Sequence, residues 1–119
     1  MGPRALLALL IFAAGVQSAS AICNIAGPRY GLTSDTVDWT LTIVGGQSCT
    51  QGLRLRTTAV DAVTITEAAR HGEVLVRGSG FEYRARPNYK GDDSFELAVS
   101  GLYVKVPGNS TIRVQVYIR

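Results

Sequence analysis

The sequence predicts an all-β fold, specifically an immunoglobulin-like antiparallel β-sandwich of seven to eight strands that follows an N-terminal signal peptide. Hydrophobic and polar residues alternate with a period of two along most of the chain, as in strands with one buried face. Turn-forming residues recur about every eight to twelve positions, and no amphipathic stretch of helical period reaches about ten residues after the leader. A small closed barrel is the alternative arrangement of such strands.

The first 21 residues have the pattern of a secretory signal peptide. Arg4 and the terminal amine are positive, an apolar run extends from Leu6 to Val16, and small residues occupy positions 19–21. This run is shorter than the roughly 20 residues that a membrane span needs; an uncleaved anchor is the alternative. We therefore predict a signal peptide at 1–21 and a single domain at 22–119, exported to the periplasm or the extracellular space without a membrane span.

The two cysteines, Cys23 and Cys49, are predicted to form a structural disulfide. In an exported chain an even number of cysteines favours pairing, and only one intramolecular pairing exists here. The bridge closes a loop of about 25 residues, which corresponds to about 3 kcal/mol in the chain-entropy model. The spacing is not that of a C-x-x-C motif, so neither redox chemistry nor a metal site is predicted.

In the first half of the domain, residues 36–43 alternate most clearly, and Gly45-Gly46 ends that strand. Residues 53–57 alternate again, and residues 60–66 are rich in β-branched side chains. We predict strands at both places, followed by no more than one helical turn at 67–70.

The second half continues the same pattern, with turns predicted at Gly78-Ser79-Gly80, at Pro87-Asn88 and at Pro107–Ser110. The last strand shows the cleanest alternation, with isoleucine and valine at 112, 114, 116 and 118. Strands are predicted at 74–76, 81–86, 95–99, 102–106 and 111–118.

Residues 71–99 read HGEVLVRGSGFEYRARPNYKGDDSFELAV, and the strand at 111–118 follows them. This part resembles the cadherin-like, immunoglobulin-like tandem repeats of bacterial surface and secreted proteins, over residues 71–118. The most specific segment is Tyr89-x-Gly91-x-Asp93-Ser94-Phe95. The resemblance implies an immunoglobulin-like sandwich. Residues 22–50 lack the acidic stretch with which such repeats help to bind calcium, and the chain holds one copy, so we expect neither calcium binding nor a place in an adhesin array.

Within this motif, four residues are predicted to build the fold. Gly91 permits a tight turn, and Asp93 accepts backbone N–H bonds in that turn. Tyr89 buries its ring and donates its hydroxyl to a backbone carbonyl, much as a tyrosine corner does. Phe95 begins the inward row of the next strand.

The charge balance argues against a dedicated nucleic-acid binder. The chain has 12 Lys and Arg, 9 Asp and Glu, and a formal net charge of +3. If their strands share one sheet, the cations Arg54, Arg56, Arg84, Arg86 and Lys90 form a basic patch that binds sulfate, phosphate or acidic glycans through bidentate contacts. The alternative is an ordinary solvated face.

His71 is the only imidazole in the chain, and any acid–base chemistry near neutral pH would fall on it. No G-x-S-x-G element accompanies it, so we predict no catalytic residue, no cofactor and no metal. The predicted function is a non-catalytic secreted or periplasmic module that acts through its surface, by adhesion or an envelope-associated contact.

Its partner is expected to be a protein or an acidic glycan, bound by the basic patch or by strand addition at an exposed sheet edge. The alternative is a small secreted hydrolase or an enzyme inhibitor. A binding module predicts His71 on an exposed loop, whereas an enzyme predicts it in a cleft beside a carboxylate or a serine.

Overall fold

The computed structural model describes residues 23–119, and that part of the chain contains eight strands and no helix. The predicted signal peptide at 1–21 lies outside the described residues. The strands are β1 (Cys23–Ala26), β2 (Asp35–Ile43), β3 (Ser48–Gly52), β4 (Thr58–Glu67), β5 (Gly72–Arg77), β6 (Gly80–Ala85), β7 (Gly91–Tyr103) and β8 (Val106–Ile118). Within this range no helix is long and apolar enough to cross a membrane.

The strands form two sheets, and the inward side chains of both supply one core, which confirms the predicted sandwich. The larger sheet has the order β1-β2-β8-β7-β4, and the smaller has the order β3-β6-β5. Taken in chain order, β3 to β8 occupy the positions of strands B to G in an immunoglobulin sandwich. The most deeply buried side chains are Tyr83, Phe81, Phe95, Leu41, Ile43, Leu53, Leu97, Ile112, Val99, Val114 and Val116.

One strand pair departs from the predicted antiparallel arrangement. Strands β2 and β8 run parallel along their whole contact, from Asp35 opposite Ser110 to Ile43 opposite Ile118. A parallel pair requires a long connection between its strands. Residues 44–105 supply that connection, so no tight turn dictates the relative direction of the two strands.

A single hairpin of two 13-residue strands, β7 and β8, replaces the short strands predicted in the C-terminal part. The predicted turn at 107–110 is wrong, because the chain reverses at Val104-Lys105 instead. In this register Leu102 and Pro107 face each other as a non-hydrogen-bonded pair, so the missing proline N–H interrupts no bond of the hairpin.

The predicted strand at 53–57 is also wrong. Leu53 and Leu55 do point towards apolar surroundings, but the segment is a tight loop closed by a bridge between Leu55 and Thr58. The carbonyl of Leu53 accepts the hydroxyl of Tyr30, and its N–H donates to Ser79, so these groups are not part of a strand ladder. The apolar and polar residues alternate over 53–57 because Leu53 and Leu55 are anchored in the loop, not because the segment is a strand. The segment 67–70 contains no helical turn.

The disulfide joins Cys23 on β1 to Cys49 on β3, with 5.9 Å between the Cα atoms. This pairing confirms the predicted disulfide, and it links the edge of the larger sheet to the smaller sheet. Neither β1 nor β3 was expected as a strand, since each is short and lacks clear alternation.

Candidate functional site

Asp93 is the most heavily engaged polar residue of the fold. It is buried near the start of β7, and its carboxylate accepts four hydrogen bonds. The hydroxyl of Tyr83 donates to it at 2.7 Å, and the backbone N–H groups of Arg70, His71 and Ser94 donate at 2.9, 3.1 and 2.9 Å. A single side chain thereby fixes the β4–β5 loop, the start of β7 and the tyrosine of β6.

The charge state of this network follows from its geometry. Burial alone would raise the pKa of Asp93, but the hydrogen bonds from Tyr83 and from the backbone outweigh burial and hold that pKa below its ordinary value. Burial and the bond to the carboxylate both raise the pKa of Tyr83. Asp93 is thus an ionised acceptor whose oxygens are occupied, and Tyr83 is a neutral donor.

His71 does not lie on the fully exposed loop that a binding module predicts, and its imidazole makes no hydrogen bond to a carboxylate or a serine hydroxyl among residues 23–119. Its ring is half-buried and stacks on Tyr89, with 4.3 Å between ring centroids and 8° between the planes. The backbone N–H of His71, not its imidazole, contacts Asp93. Its buried Nδ1 has no hydrogen-bond partner among residues 23–119. An open depression of about 230 Å³ adjoins the ring, and its lining includes Asp92 and Ser94.

The other motif residues lie around the same network. The Tyr89 hydroxyl donates to the carbonyl of Asp92 at 3.3 Å. Gly91 has a φ of 145°, and a Cβ there would come within 3.0 Å of the Tyr89 hydroxyl oxygen, so this turn requires glycine. Phe95 is the first fully inward residue of β7 after Asp93, and its ring stacks on that of Tyr83. We call this region, with Cys23 and Cys49, the disulfide end.

The five cations considered as one patch lie at opposite ends of the smaller sheet. Arg84 faces Ser48 in the register, whereas Arg54 and Arg56 follow Gly52, which lies four residues, about 13 Å, further along β3. The loop conformation of 53–57 is the reason, since it carries both arginines beyond the sheet.

At the disulfide end the cations already have partners or solvent. Arg84 is paired with Glu82 at 3.3 Å and with Glu73 at 3.9 Å. Arg86 donates to the carbonyl of Arg70 at 3.4 Å, and Lys90 is exposed. The hydrogen bonds from Arg77 and Arg84 lower the pKa of Glu82. This part of the surface is therefore a mixed ion-pair network.

At the opposite end of the long hairpin, the turn Tyr103–Val106 lies beside Arg54 and Arg56. We define the hairpin tip as residues 102–106. Arg54, Arg56 and Lys105 line an open depression of about 300 Å³ together with Leu102 and Val104. Alternation in the sequence indicated a strand at 102–106 and gave no reason to expect apolar side chains in a solvent-exposed turn.

A second opening, between β1 and β3, was not anticipated. Ile25, Tyr30, Trp39, Leu53 and Leu55 line it, and its volume is about 230 Å³. The Trp39 Nε1–H donates to the carbonyl of Pro28 at 2.7 Å. Trp39, the only tryptophan of the chain, packs against the edge of the core.

Strand β5 has a free edge in the smaller sheet, since it pairs with β6 and with no other strand of residues 23–119. Its pairing is continuous, without a bulge or a proline. By contrast, β4, at the edge of the larger sheet, has register shifts between Val60 and Ala62 and between Ile65 and Glu67. Bulges of this kind hinder pairing with another chain, so β5 is the better template for an added strand.

No group of three or more His, Cys, Asp or Glu side chains within residues 23–119 is arranged to hold a metal ion. No protein-family model matches the chain, and no curated protein matches its sequence. The resemblance of residues 71–118 to cadherin-like repeats therefore stays a prediction.

Proposed function

We propose that this protein is a non-catalytic, exported binding or structural module that acts through its surface, in adhesion or in an envelope-associated contact. The observation that carries the proposal is the engagement of Asp93 and His71. Four donors occupy the oxygens of the Asp93 carboxylate. The imidazole ring is stacked on Tyr89, and no carboxylate or serine hydroxyl within residues 23–119 is hydrogen-bonded to it. General acid–base catalysis needs a side chain within hydrogen-bond reach of the reacting group.

Two features support export. The residues at 1–21 have the composition of a secretory leader, and a disulfide persists mainly in oxidising compartments. The alternative hydrolase would be exported for the same reasons, so location does not separate the two functions. Turnover does.

The test compares the wild-type protein with the His71→Ala variant on ester, peptide and glycoside substrates. We expect no turnover above the buffer rate from either protein. Turnover by the wild type that disappears in the variant would overturn the proposal, provided that the two proteins have similar melting temperatures.

Strand addition at β5 is a mode of binding supported by the continuous pairing of β5, in contrast to the bulged edge of β4. In an antiparallel pair, facing residues are alternately hydrogen-bonded and not hydrogen-bonded. The Arg86 N–H donates to the carbonyl of His71, and counting along the register from this bond makes Val76 a residue that is not bonded to β6. The N–H of Val76 therefore points away from β6. A Val76→Pro variant removes that donor and leaves the ladder complete, while Val76→Thr keeps it. Envelope proteins captured by the wild type and by Val76→Thr should be lost with Val76→Pro; equal capture by all three would exclude this edge.

A further inference from the structure

The hairpin tip carries a group of apolar side chains that are exposed to solvent. Among residues 23–119, four of the seven large hydrophobic residues that are exposed lie here: Leu102, Tyr103, Val104 and Val106. Val104 and Val106 are 61% and 62% exposed. Isolated apolar residues are common on protein surfaces, but a contiguous group of them marks an interaction site.

The turn itself does not explain these residues. Val104 and Lys105 have φ values of 47° and 66°, so both central positions of the turn are left-handed. Two-residue hairpins of this kind favour Asn-Gly, because a β-branched residue is strained at positive φ. A valine at this position costs stability, and such strain is concentrated at functional sites.

Positive charge lies beside the apolar residues of the tip. Arg54, Arg56 and Lys105 line the depression beside the tip, and no carboxylate is among its lining residues. Within residues 23–119 none of these three cations forms an ion pair. The nearest acidic residue along the adjoining strand is Asp61, three positions beyond Thr58, where β4 begins.

We propose that the hairpin tip docks on the surface of an anionic lipid bilayer. Val104, in the turn, enters the boundary between headgroups and acyl chains. Tyr103 and Val106, which pair across the hairpin, lie at headgroup level, and the three cations contact lipid phosphates. An acidic glycan would satisfy the cations and leave the projecting valines in water. A bilayer accepts both groups at once, which is why we favour it. The inference rests on the proposed surface-binding function and names the partner.

The experiment is co-sedimentation of the full protein with vesicles of phosphatidylcholine, alone or mixed with phosphatidylglycerol. We expect binding to the mixed vesicles only, and weaker binding as salt is raised, because salt screens the contacts with the phosphates. The Arg54→Gln/Arg56→Gln variant should bind roughly 20- to 30-fold more weakly, since each cation near an anionic surface contributes about a fivefold factor.

A matched control removes the same charge at the other end of the molecule. Arg70 and Arg119 have exposed side chains at the disulfide end. The Arg70→Gln/Arg119→Gln variant should bind within about twofold of the wild type, because it lowers the net charge without touching the tip. Equal losses in the two variants would mean that net charge alone drives binding, which would overturn the proposal.

The apolar contribution is tested with Val104→Asn/Val106→Thr, which keeps every charge. Asparagine tolerates positive φ and threonine favours strands, so this variant should fold at least as stably as the wild type. Its binding to mixed vesicles should be about tenfold weaker. Unchanged binding would contradict insertion of the tip.

Heparin, an acidic glycan, tests whether the cations bind a glycan instead of a lipid. Binding of the wild type to heparin but not to mixed vesicles would overturn the lipid assignment and leave the surface-binding function standing, with an acidic glycan as partner. Binding to neither would overturn the assignment as well. The proposed function fails on a different result, which is turnover that depends on His71.

Discussion

The two ends of the β7–β8 hairpin use their side chains in opposite ways. They are separated by 12 residue steps, about 40 Å. At the disulfide end a covalent bridge, a buried carboxylate and a stacked aromatic pair join separate strands and loops. At the hairpin tip the apolar side chains are exposed and the neighbouring cations have no ion-pair partners within residues 23–119.

This difference indicates how a small sandwich can divide its tasks. The polar groups that resemble catalytic machinery, Asp93 and His71, lie where the structure is most cross-linked, and they hold loops in place. Within residues 23–119, the exposed apolar side chains and unpaired cations of the hairpin tip lie where no disulfide or buried carboxylate cross-links the chain. Mutations at the disulfide end should therefore change stability, and mutations at the tip should change binding.

The largest effect is expected from Asp93→Ala. The substitution leaves the Tyr83 hydroxyl and three backbone N–H groups without their acceptor, and we expect a loss of about 3–4 kcal/mol in the free energy of unfolding. Urea denaturation measures it. Asp92→Ala is the matched control, because the neighbouring side chain is exposed and its loss should change stability by less than about 0.5 kcal/mol. Equal effects would show that the network contributes little.

The disulfide is expected to contribute slightly less. The Cys23→Ser/Cys49→Ser variant should lose about 3 kcal/mol, because the bridge, with a sequence separation of 26, restricts the unfolded chain. The same loss should follow when the wild type is reduced. Thiols that react in the native, unreduced protein would contradict the bridge.

Acid should remove the contribution of the Asp93 network to the stability of the protein. The folded pKa of Asp93 is lower than its ordinary value of 3.8, so the network contributes fully above that pH and is lost as the pH falls through the lower folded pKa. The melting temperature of the wild type should therefore fall more steeply below pH 4 than that of Asp93→Asn. Asp35 and Glu82 also have lowered pKa values, but both proteins share them. Parallel curves would contradict an ionised Asp93.

The smallest effect has the opposite sign. Val104→Asn places a residue that tolerates positive φ at a position with a φ of 47°, and it should stabilise the protein by about 1 kcal/mol. The same substitution at Val106, which lies within β8, should not stabilise it, because asparagine is unfavourable in strands. Thermal unfolding of the two variants compares them. Destabilisation by Val104→Asn would show that the valine has a structural role.

The sequence was sufficient to predict the fold class and the disulfide, because neither depends on knowing which strands pair. Alternation identifies half-buried strands whatever their pairing, and a chain with two cysteines allows only one intramolecular bridge. The turn at Val104-Lys105 could not be predicted, since the residues there favour strands and only the pairing with β7 places them at a reversal. Pro107 and Gly108 were misassigned for the same reason. Because Gly108 has no side chain, the carbonyl of Leu32 can lie close to its backbone, and these two residues are distant in sequence.

The candidate sites depend even more on long-range contacts. The bond from Tyr83 to Asp93 joins two strands, and the stacking of His71 on Tyr89 joins two loops. Arg54 and Arg56 were grouped with Arg84 and Arg86 on the assumption of a strand at 53–57. The anchoring of Leu53 by Tyr30 and Ser79 removes that strand and moves the two arginines to the hairpin tip.

Amide hydrogen exchange tests the contrast between the two ends most directly. The N–H groups of Arg70 and His71 lie in a loop, yet their bonds to Asp93 predict protection close to that of the β7–β8 core, whereas the amide of Lys105 should exchange rapidly. In Asp93→Asn the protection at Arg70 and His71 should fall while that of Val114 changes little. Rapid exchange at Arg70 and His71 in the wild type, or strong protection at Lys105, would contradict this account.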